Sequence, residues 1–328
     1  MKGLITKVLK AVIKLYFHGV ETAVKQSFHR HQQCVACGSA HFGVLRGYEE
    51  QYLVKCRSCA MVFAERIPTE EELSSFYSTY SYSSDPWVSP ITLKRYHTLL
   101  DEFERYRLTG RILDTGCGAG HFLAVARERG WEVFGNEFSP AAVGICETKG
   151  ISMVHGALGS PSKAPEGFSA LEGGFDVVTS FEVLEHVNTP IDDLKVLHRY
   201  LRDGGLLYVT TPNFNAFARR WLGVQYNVLN YPEHLSYFTS RTLDAAAKRA
   251  GFSRLRSWSE GVSLSRIAGS RTPSAEIRIG SKEAPDERLR QRTETQWFWK
   301  LVKRLANSAF RLTGTGSGLK AYYRKGGA

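Results

Sequence analysis

The segment ILDTGCGAGHF, residues 112–122, has the composition of a ligand-binding turn. A β-rich run ends at Asp114, and Gly116, Gly118 and Gly120 follow at alternate positions before a helical stretch. Glycine permits tight turns and a close approach of a ligand to the amino end of a helix. The Gly-x-Gly-x-Gly spacing differs from the Gly-x-Gly-x-x-Gly of dinucleotide-binding turns. We therefore predict a ligand site here, against the alternative of a glycine-rich turn that binds nothing.

Glu137 ends the next β-rich run, 21 residues after Gly116. In doubly wound folds a carboxylate at this place accepts hydrogen bonds from the ribose hydroxyls of an adenosine. A carboxylate at a strand end is by itself usually only solvated, so this prediction depends on the glycine turn that precedes it. The two features together predict a site for an adenosine-containing ligand.

Four of the six cysteines form two Cys-x-x-Cys pairs, Cys34 with Cys37 and Cys56 with Cys59, separated by 18 residues. This spacing is typical of a four-thiolate zinc ribbon, and Gly38 supplies the turn after the first pair. Four protein ligands leave no open position on the metal. We therefore predict a structural zinc site in residues 32–67 and not a catalytic one.

Two further segments carry acid–base side chains. EVLEHV (182–187) contains Glu185 and His186, which could bind a metal, move a proton or serve only a structural role. In NYPEHLSYFT (230–239), His234 follows the fifth β-rich run, where α/β enzymes place residues that face the substrate. A neutral imidazole there can accept a hydroxyl proton. The alternative for His234 is a loop histidine bonded to the backbone.

The elements that must position these residues alternate along the chain, which indicates a mostly parallel sheet with helices on both faces. A helix over 239–250 and a closing antiparallel pair, 252–258 with 318–325, follow. Residues 68–100 form a connection with a helix start at Thr69. The predicted strands are 111–114, 131–137, 151–156, 175–180 and 206–211, and the helices between them are 120–129, 140–149 and 190–202.

ILDTGCGAG, GNEFSP, FDVVTSFEVLEHV and GGLLYVTTPN, in this order, resemble the class I methyltransferases that use S-adenosylmethionine (SAM), especially the ubiquinone-pathway O-methyltransferases. The resemblance covers residues 107–257 and implies a Rossmann-like, seven-stranded α/β fold. Thr115 departs from the Ile, Val or Leu that is common there. The roles it implies are Asp114, Gly116, Gly118 and Gly120 around the methionine of SAM, Glu137 on the ribose, Gly156 and Ala157 near the adenine, and Phe181 and Glu182 at the cofactor edge.

The net charge of +11 is concentrated at the two ends of the chain. Residues 1–31 carry six Lys or Arg against Glu21 alone, and residues 288–325 carry ten against Glu294 alone. The remainder is close to neutral, which argues against a nucleic-acid track across the active face. Apolar residues at helical spacing with interleaved lysines predict basic amphipathic helices over 3–24 and 297–312, which could lie on an anionic membrane or pack on the protein.

The predicted organisation has five parts: 1–31, a basic helix; 32–67, the zinc ribbon; 68–104, a linker or cap; 105–260, the SAM-binding core; and 261–328, an extension with a basic helix and the closing strand. Lysines interrupt the apolar amino-terminal stretch, so no secretory signal is predicted, and no run of apolar residues is long enough to span a bilayer. We expect a cytoplasmic protein that contacts the inner face of the membrane through 3–24. The oligomeric state stays open.

A zinc ribbon before such a core resembles bacterial proteins that modify surface polysaccharides or deoxysugars. The resemblance implies methyl transfer to a hydroxyl of a sugar nucleotide or lipid-linked saccharide. Carbon methylation of a keto-deoxysugar nucleotide and a quinone-type O-methyltransferase are alternatives, although the latter leaves the ribbon unexplained. A zinc-ribbon RNA methyltransferase is a further alternative, which the few basic residues of the ribbon do not favour; we expect no nucleic-acid partner.

Overall fold

The computed structural model describes residues 29–77, 88–163, 165, 167–261 and 297–326. The predicted helix 3–24 lies outside these ranges. Within them, no helix has the length and apolar character needed to cross a bilayer.

The described residues form twelve strands and eight α-helices, numbered here in chain order. The strands are β1 (Phe42–Val44), β2 (Leu53–Cys56), β3 (Val62–Ala64), β4 (Arg111–Thr115), β5 (Glu132–Glu137), β6 (Ser152–Ala157), β7 (Ser160–Lys163), β8 (Phe175–Phe181), β9 (Leu201–Pro212), β10 (Ser236–Tyr237), β11 (Phe252–Glu260) and β12 (Gly318–Lys325). The helices are α1 (Glu70–Tyr77), α2 (Pro90–Phe103), α3 (His121–Glu128), α4 (Pro140–Thr148), α5 (Pro190–Tyr200), α6 (Phe217–Leu222), α7 (Ser240–Arg249) and α8 (Trp297–Thr313).

The large sheet has the order β11-β12-β9-β8-β4-β5-β6-β7. All seven predicted strands are present, so the predicted α/β fold is confirmed; β7 adds a short antiparallel strand at one edge. β9, β8, β4, β5 and β6 are mutually parallel, and β12 is inserted antiparallel between β9 and β11. The strand order reverses between β4 and β8, and this reversal point is where doubly wound folds bind their ligands.

Both faces of the parallel part of this sheet are buried under helices. Neighbouring residues of one strand belong to different apolar clusters, as Ile112 and Leu113 do on β4. Leu113 packs with Val178 of β8 on one face, and Ile112 packs with Val177 of β8 on the other. Successive side chains of a strand point to opposite faces, so a strand covered on both sides must be apolar throughout. That composition explains why the strands were predictable from short apolar runs.

Two helices precede β4 in the region predicted as a connection. The predicted start of α1 at Thr69 is confirmed, because the Thr69 hydroxyl accepts the Glu72 backbone N–H at 3.2 Å. α2 was not predicted. Ser89 caps it by accepting the Thr92 N–H at 3.2 Å, Pro90 occupies its first turn, and Phe103 is fully buried at its end. The Ser-Pro pair was the available signal, since proline is favoured in the first helical turn.

A second sheet, β1-β2-β3-β10, joins the predicted ribbon to the rest of the protein. β1, β2 and β3 belong to residues 32–67, whereas β10 follows His234 in the core sequence. Ser236 pairs with Phe63 and Tyr237 with Val62, both antiparallel. The ribbon is therefore attached to the segment that carries His234 by backbone pairing within one sheet, in addition to side-chain packing.

Candidate functional site

The three glycines of the loop 114–120, called the glycine loop below, all have backbone angles that favour glycine, with φ of +60° at Gly116, +54° at Gly118 and +69° at Gly120. A Cβ added at Gly116 would lie 2.6 Å from a methyl group of Val183, and one at Gly120 would lie 2.7 Å from Cys146 Sγ. A Cβ added at Gly118 meets no atom within 4 Å. Gly116 and Gly120 are thus needed for packing, while Gly118 faces open space in which a ligand can approach the backbone.

The Glu137 carboxylate lies directly against this loop at the end of β5. Oε2 accepts the Gly118 backbone N–H at 3.0 Å, and Oε1 accepts those of Phe138 at 2.8 Å and Ser139 at 3.2 Å. Backbone amides therefore orient the carboxylate beside the open position at Gly118. Phe138, which the sequence analysis did not single out, is 67% exposed and adds an apolar ring at this edge.

Asp114 is buried at the end of β4, where its Oδ1 accepts a hydrogen bond from Thr179 Oγ1 at 2.6 Å. Burial raises the pKa of Asp114 to about 8; the Thr179 hydrogen bond opposes the shift, and the nearby charge of Glu137 adds to it. The carboxyl group is therefore largely protonated at neutral pH. A cationic group nearby would favour the ionised form.

The remaining residues predicted around the cofactor lie at the carboxyl ends of neighbouring strands. Gly156 and Ala157 end β6, and the Gly156 carbonyl accepts a hydrogen bond from Asn136 Nδ2 at 2.9 Å. Phe181 ends β8. Glu182 follows it with φ of +54°, which is uncommon for a residue other than glycine. All nine predicted cofactor residues thus lie on strand ends or loops at one edge of the sheet.

Glu185, His186 and His234, called the histidine cluster below, offer ligand atoms that lie within 4.8 Å of one another. The two imidazole rings meet edge to face with centroids 4.7 Å apart. Glu185 and His186 come from the segment after β8, and His234 comes from the loop before β10. The sequence analysis considered these segments separately, and no spacing pattern connects them.

Backbone carbonyls orient both imidazoles. His186 Nδ1 donates to the Glu233 carbonyl at 2.8 Å, and His234 Nδ1 donates to the Val228 carbonyl at 2.6 Å. With Nδ1 as the donor, Nε2 carries the lone pair of each neutral ring. The Glu185 carboxylate accepts the Thr211 hydroxyl at 2.9 Å. His234 thus makes the backbone contact that the structural alternative required, and it also stands beside a second histidine.

Burial lowers the pKa of His186, which favours the neutral ring at physiological pH. His186 keeps 25% of its side chain exposed, while His234 is only 9% exposed. Val183, in the same segment as Glu185 and His186, packs against Gly116, so this segment reaches the glycine loop. Two imidazoles beside a carboxylate can accept a proton or bind a divalent cation through the nitrogen that carries the lone pair.

The four predicted zinc ligands also come together. Cys34 Sγ lies 3.6 Å from Cys59 Sγ, Cys37 Sγ lies 3.5 Å from Cys56 Sγ, and all four sulfurs are within 4.8 Å of one another. A tetrahedral site with metal–sulfur bonds of about 2.3 Å has sulfur–sulfur edges of about 3.8 Å. The four thiols, called the cysteine cluster below, therefore have the spacing that a tetrahedral metal needs.

The order of the large sheet and the glycine-rich edge define a doubly wound α/β protein. Of its seven predicted strands, β12 is the antiparallel one, and it lies next to the edge strand β11. Residues 92–256, about half of the chain, match the methyltransferase domain family, so the chain belongs to that family. The resemblance seen in the sequence is thereby confirmed.

Curated relatives include the ubiquinone biosynthesis O-methyltransferases of Pseudomonas paraeruginosa, 31% identical over 130 residues, and of Aeromonas salmonicida, 29% identical over 147. The alignments cover 38% and 43% of this chain, and the chain spans 54% and 62% of these relatives. A solved SAM-dependent methyltransferase from Archaeoglobus fulgidus is 17% identical with a TM-score of 0.47, over 77% of this chain and 99% of that one.

Proposed function

We propose that the protein transfers the methyl group of SAM to a hydroxyl oxygen of a small or lipid-linked acceptor. The observation that carries the proposal is the open position at Gly118 beside the Glu137 carboxylate, in a chain of the methyltransferase domain family. When bound, SAM supplies a methyl group on a sulfonium, which is already activated for in-line displacement. The protein then has mainly to align the acceptor and take up its proton.

In the proposed complex, the residues at the edge of the sheet complement the charged and polar groups of SAM. Glu137 would accept the ribose hydroxyls, and the exposed ring of Phe138 offers an apolar surface for the adenine, near Gly156 and Ala157. Asp114 would face the methionine part, whose sulfonium and ammonium groups favour its ionised form. Gly116, Gly120, Phe181 and Glu182 would shape the pocket through the backbone and through packing.

The histidine cluster would act on the acceptor. The geometry suits a neutral His234 that accepts the hydroxyl proton on Nε2 as the oxygen–carbon bond forms, with its ring oriented by the Val228 carbonyl. His186 stands beside it, is more exposed and is oriented in the same way, so the two rings can share this task. The Glu185 carboxylate would stabilise an imidazolium that forms next to it.

The names of the relatives favour an oxygen of a quinone-type acceptor. A sugar-type hydroxyl, the first prediction from the sequence, has support only from the ribbon, whose strand β3 borders the loop of His234. Carbon methylation would use the same base on an acidic C–H. We propose that the cysteine cluster binds a structural zinc ion that holds this border in place.

A screen with labelled SAM separates the acceptor classes: quinone-type precursors, sugar nucleotides, lipid-linked saccharides and RNA. We expect label in the quinone-type fraction, as a methyl ether by mass spectrometry. Label only in saccharides would favour the hypothesis of a sugar-type acceptor, and a methyl group on carbon would contradict O-methylation. Label only in RNA would contradict a small or lipid-linked acceptor.

A matched pair of glycine variants tests the cofactor site. Gly118→Ala should weaken SAM binding by roughly tenfold or more, because the added methyl group occupies the ligand's space. Gly173→Ala is the control: Gly173 also has positive φ, +74°, and open space around its Cβ position, but it lies before β8 and away from the loop. Both variants carry the same backbone strain of about 1–2 kcal/mol. Equal SAM affinity of the two in calorimetry would refute the assignment.

A further inference from the structure

The helix α8 turns its apolar side away from the protein. Its three most exposed large apolar side chains are Leu312 at 89%, Trp297 at 77% and Leu305 at 64%. Trp297, Leu301 and Leu305 are four residues apart, and Leu312 is seven residues beyond Leu305, so all four share one helical face. The alternative that this stripe covers the protein's own core therefore does not hold for α8.

The opposite side of α8 attaches the helix to the large sheet. Asn307 Oδ1 accepts the Gly261 N–H at 3.0 Å, and the Phe310 carbonyl accepts the Ser259 hydroxyl at 3.0 Å. Arg311 makes an ion pair with Glu260 at 2.8 Å. Ala306, Asn307 and Phe310 are the partly buried positions of the helix. These contacts fix the orientation of α8, so its outward face is a property of the folded protein.

The charge of α8 indicates what can cover this face. The helix contains Lys300, Lys303, Arg304 and Arg311 and no acidic residue, and it begins with the aromatic run Trp297, Phe298 and Trp299. A second copy of the chain would bring two sets of these basic side chains together, of which Glu260 pairs with Arg311, and neither α8 has an acidic side chain to place between them, so like-charge repulsion opposes this contact. An anionic surface with an apolar interior satisfies both features.

We infer that α8 is a docking surface for an anionic lipid bilayer, with Trp297, Leu301, Leu305 and Leu312 entering the interface and the basic side chains other than Arg311 at the headgroups. Tryptophan is favoured at this depth, and lysine and arginine can extend towards the headgroups. The apolar residues supply burial and the basic residues supply attraction to anionic lipid.

The connection after α8 leads directly to the candidate active edge. Asn213, which follows β9, donates through Nδ2 to the Gly314 and Gly316 carbonyls at 3.0 and 2.7 Å. The Phe217 N–H donates to the Thr315 carbonyl at 2.9 Å. Binding of α8 to a bilayer therefore brings the segment after β9 close to the lipid surface. The docking itself does not depend on the proposed methyl transfer.

Co-sedimentation of the full chain with vesicles tests the inference. We expect binding to vesicles of phosphatidylcholine with phosphatidylglycerol, much weaker binding to phosphatidylcholine alone, and a decrease with added salt. The double variant Leu301→Glu, Leu305→Glu should bind at least about tenfold more weakly, since two apolar side chains are lost from the interface. Leu108→Glu is the matched control, because Leu108 is 76% exposed but precedes β4 at the other edge of the sheet.

A second measurement reports mainly on α8. Vesicles with brominated acyl chains should quench tryptophan fluorescence in the wild type, and Trp297→Phe, Trp299→Phe should remove most of this quenching while binding is retained. Unchanged quenching in that variant, or unchanged sedimentation in the glutamate variant, would overturn the inference. So would a wild type that stays in the supernatant at low salt, or a glutamate variant whose main change is a smaller oligomer in light scattering.

Discussion

The glycine loop and the histidine cluster lie at the same edge of the sheet, but they are built in different ways. The glycine loop is one continuous segment, and its partner Glu137 reaches it through a hydrogen bond to the Gly118 backbone. The histidine cluster joins two segments that are far apart in the sequence. The first is shaped by backbone conformation and the second by tertiary contacts.

The histidine cluster, which forms the acceptor half of the site, also depends on the ribbon. The Leu235 carbonyl, next to His234, accepts the Ala64 N–H at 2.8 Å, and the Leu235 N–H donates to the Glu185 carbonyl at 2.6 Å. One residue thus links β3 of the ribbon to the segment of Glu185. The glycine loop has no such link among the described contacts. We therefore expect damage to the ribbon to affect acceptor chemistry more than SAM binding.

The largest expected effect tests this difference. Cys56→Ser should remove the bound metal and disorder β2 and β3, since structural zinc sites contribute directly to folding. We expect methyl transfer to fall by about 10²-fold or more, the range for loss of a positioned acid–base group. SAM affinity should change little. Metal analysis, calorimetry and a transfer assay with the identified acceptor measure the three quantities.

Ser58→Ala is the control for this variant, because Ser58 lies in the same turn and its exposed hydroxyl bonds to Ser39 at 2.9 Å and not to a cysteine among the described contacts. It should retain metal and activity. Full activity of Cys56→Ser after metal loss would show that the ribbon does not support the acceptor side. Equal loss of SAM binding and transfer would show that the two halves of the site are not separable.

The second prediction concerns the histidine cluster itself. His234→Ala should lower kcat by about 10²-fold if the ring accepts the acceptor proton, the lower end of the range for an acid–base group because His186 can share the task, while SAM affinity stays unchanged. The wild type should lose activity at acid pH as the cluster becomes protonated, and this acid limb should be absent or moved in the variant. His186→Ala shows how far the second ring can substitute.

His198→Ala is the matched control, because His198 lies on the helix α5, packs on Phe252 of β11 and is outside the cluster. It should leave kcat and the pH profile unchanged. A His234→Ala variant that loses thermal stability but keeps the wild-type pH profile would assign His234 to a structural role, through its bond to the Val228 carbonyl.

The same difference explains what could be predicted from the sequence. Strands covered on both faces, the glycine loop and the cysteine cluster each have a signature within a short segment. The approach of His186 to His234 and the pairing of β10 with β3 do not, because they depend on how distant segments pack. The outward face of α8 was equally hidden, since an amphipathic pattern does not say which way the apolar side points.

The smallest expected effect concerns the cofactor side and Asp114. Its pKa of about 8 means that the free protein carries this proton at neutral pH, and a cationic ligand favours its release. SAM binding should therefore release close to one proton and weaken as pH falls below about 8, by at most about tenfold per pH unit. The change in dissociation constant between pH 7.0 and pH 5.5 is the quantity to measure, since the amino group of SAM stays charged over this range. Calorimetry in buffers of different ionisation enthalpy counts the protons.

Asp114→Asn should bind SAM with no proton release and little pH dependence, while Cys56→Ser should keep the wild-type dependence. Equal proton release by the Asn variant would mean that a group other than Asp114 is responsible.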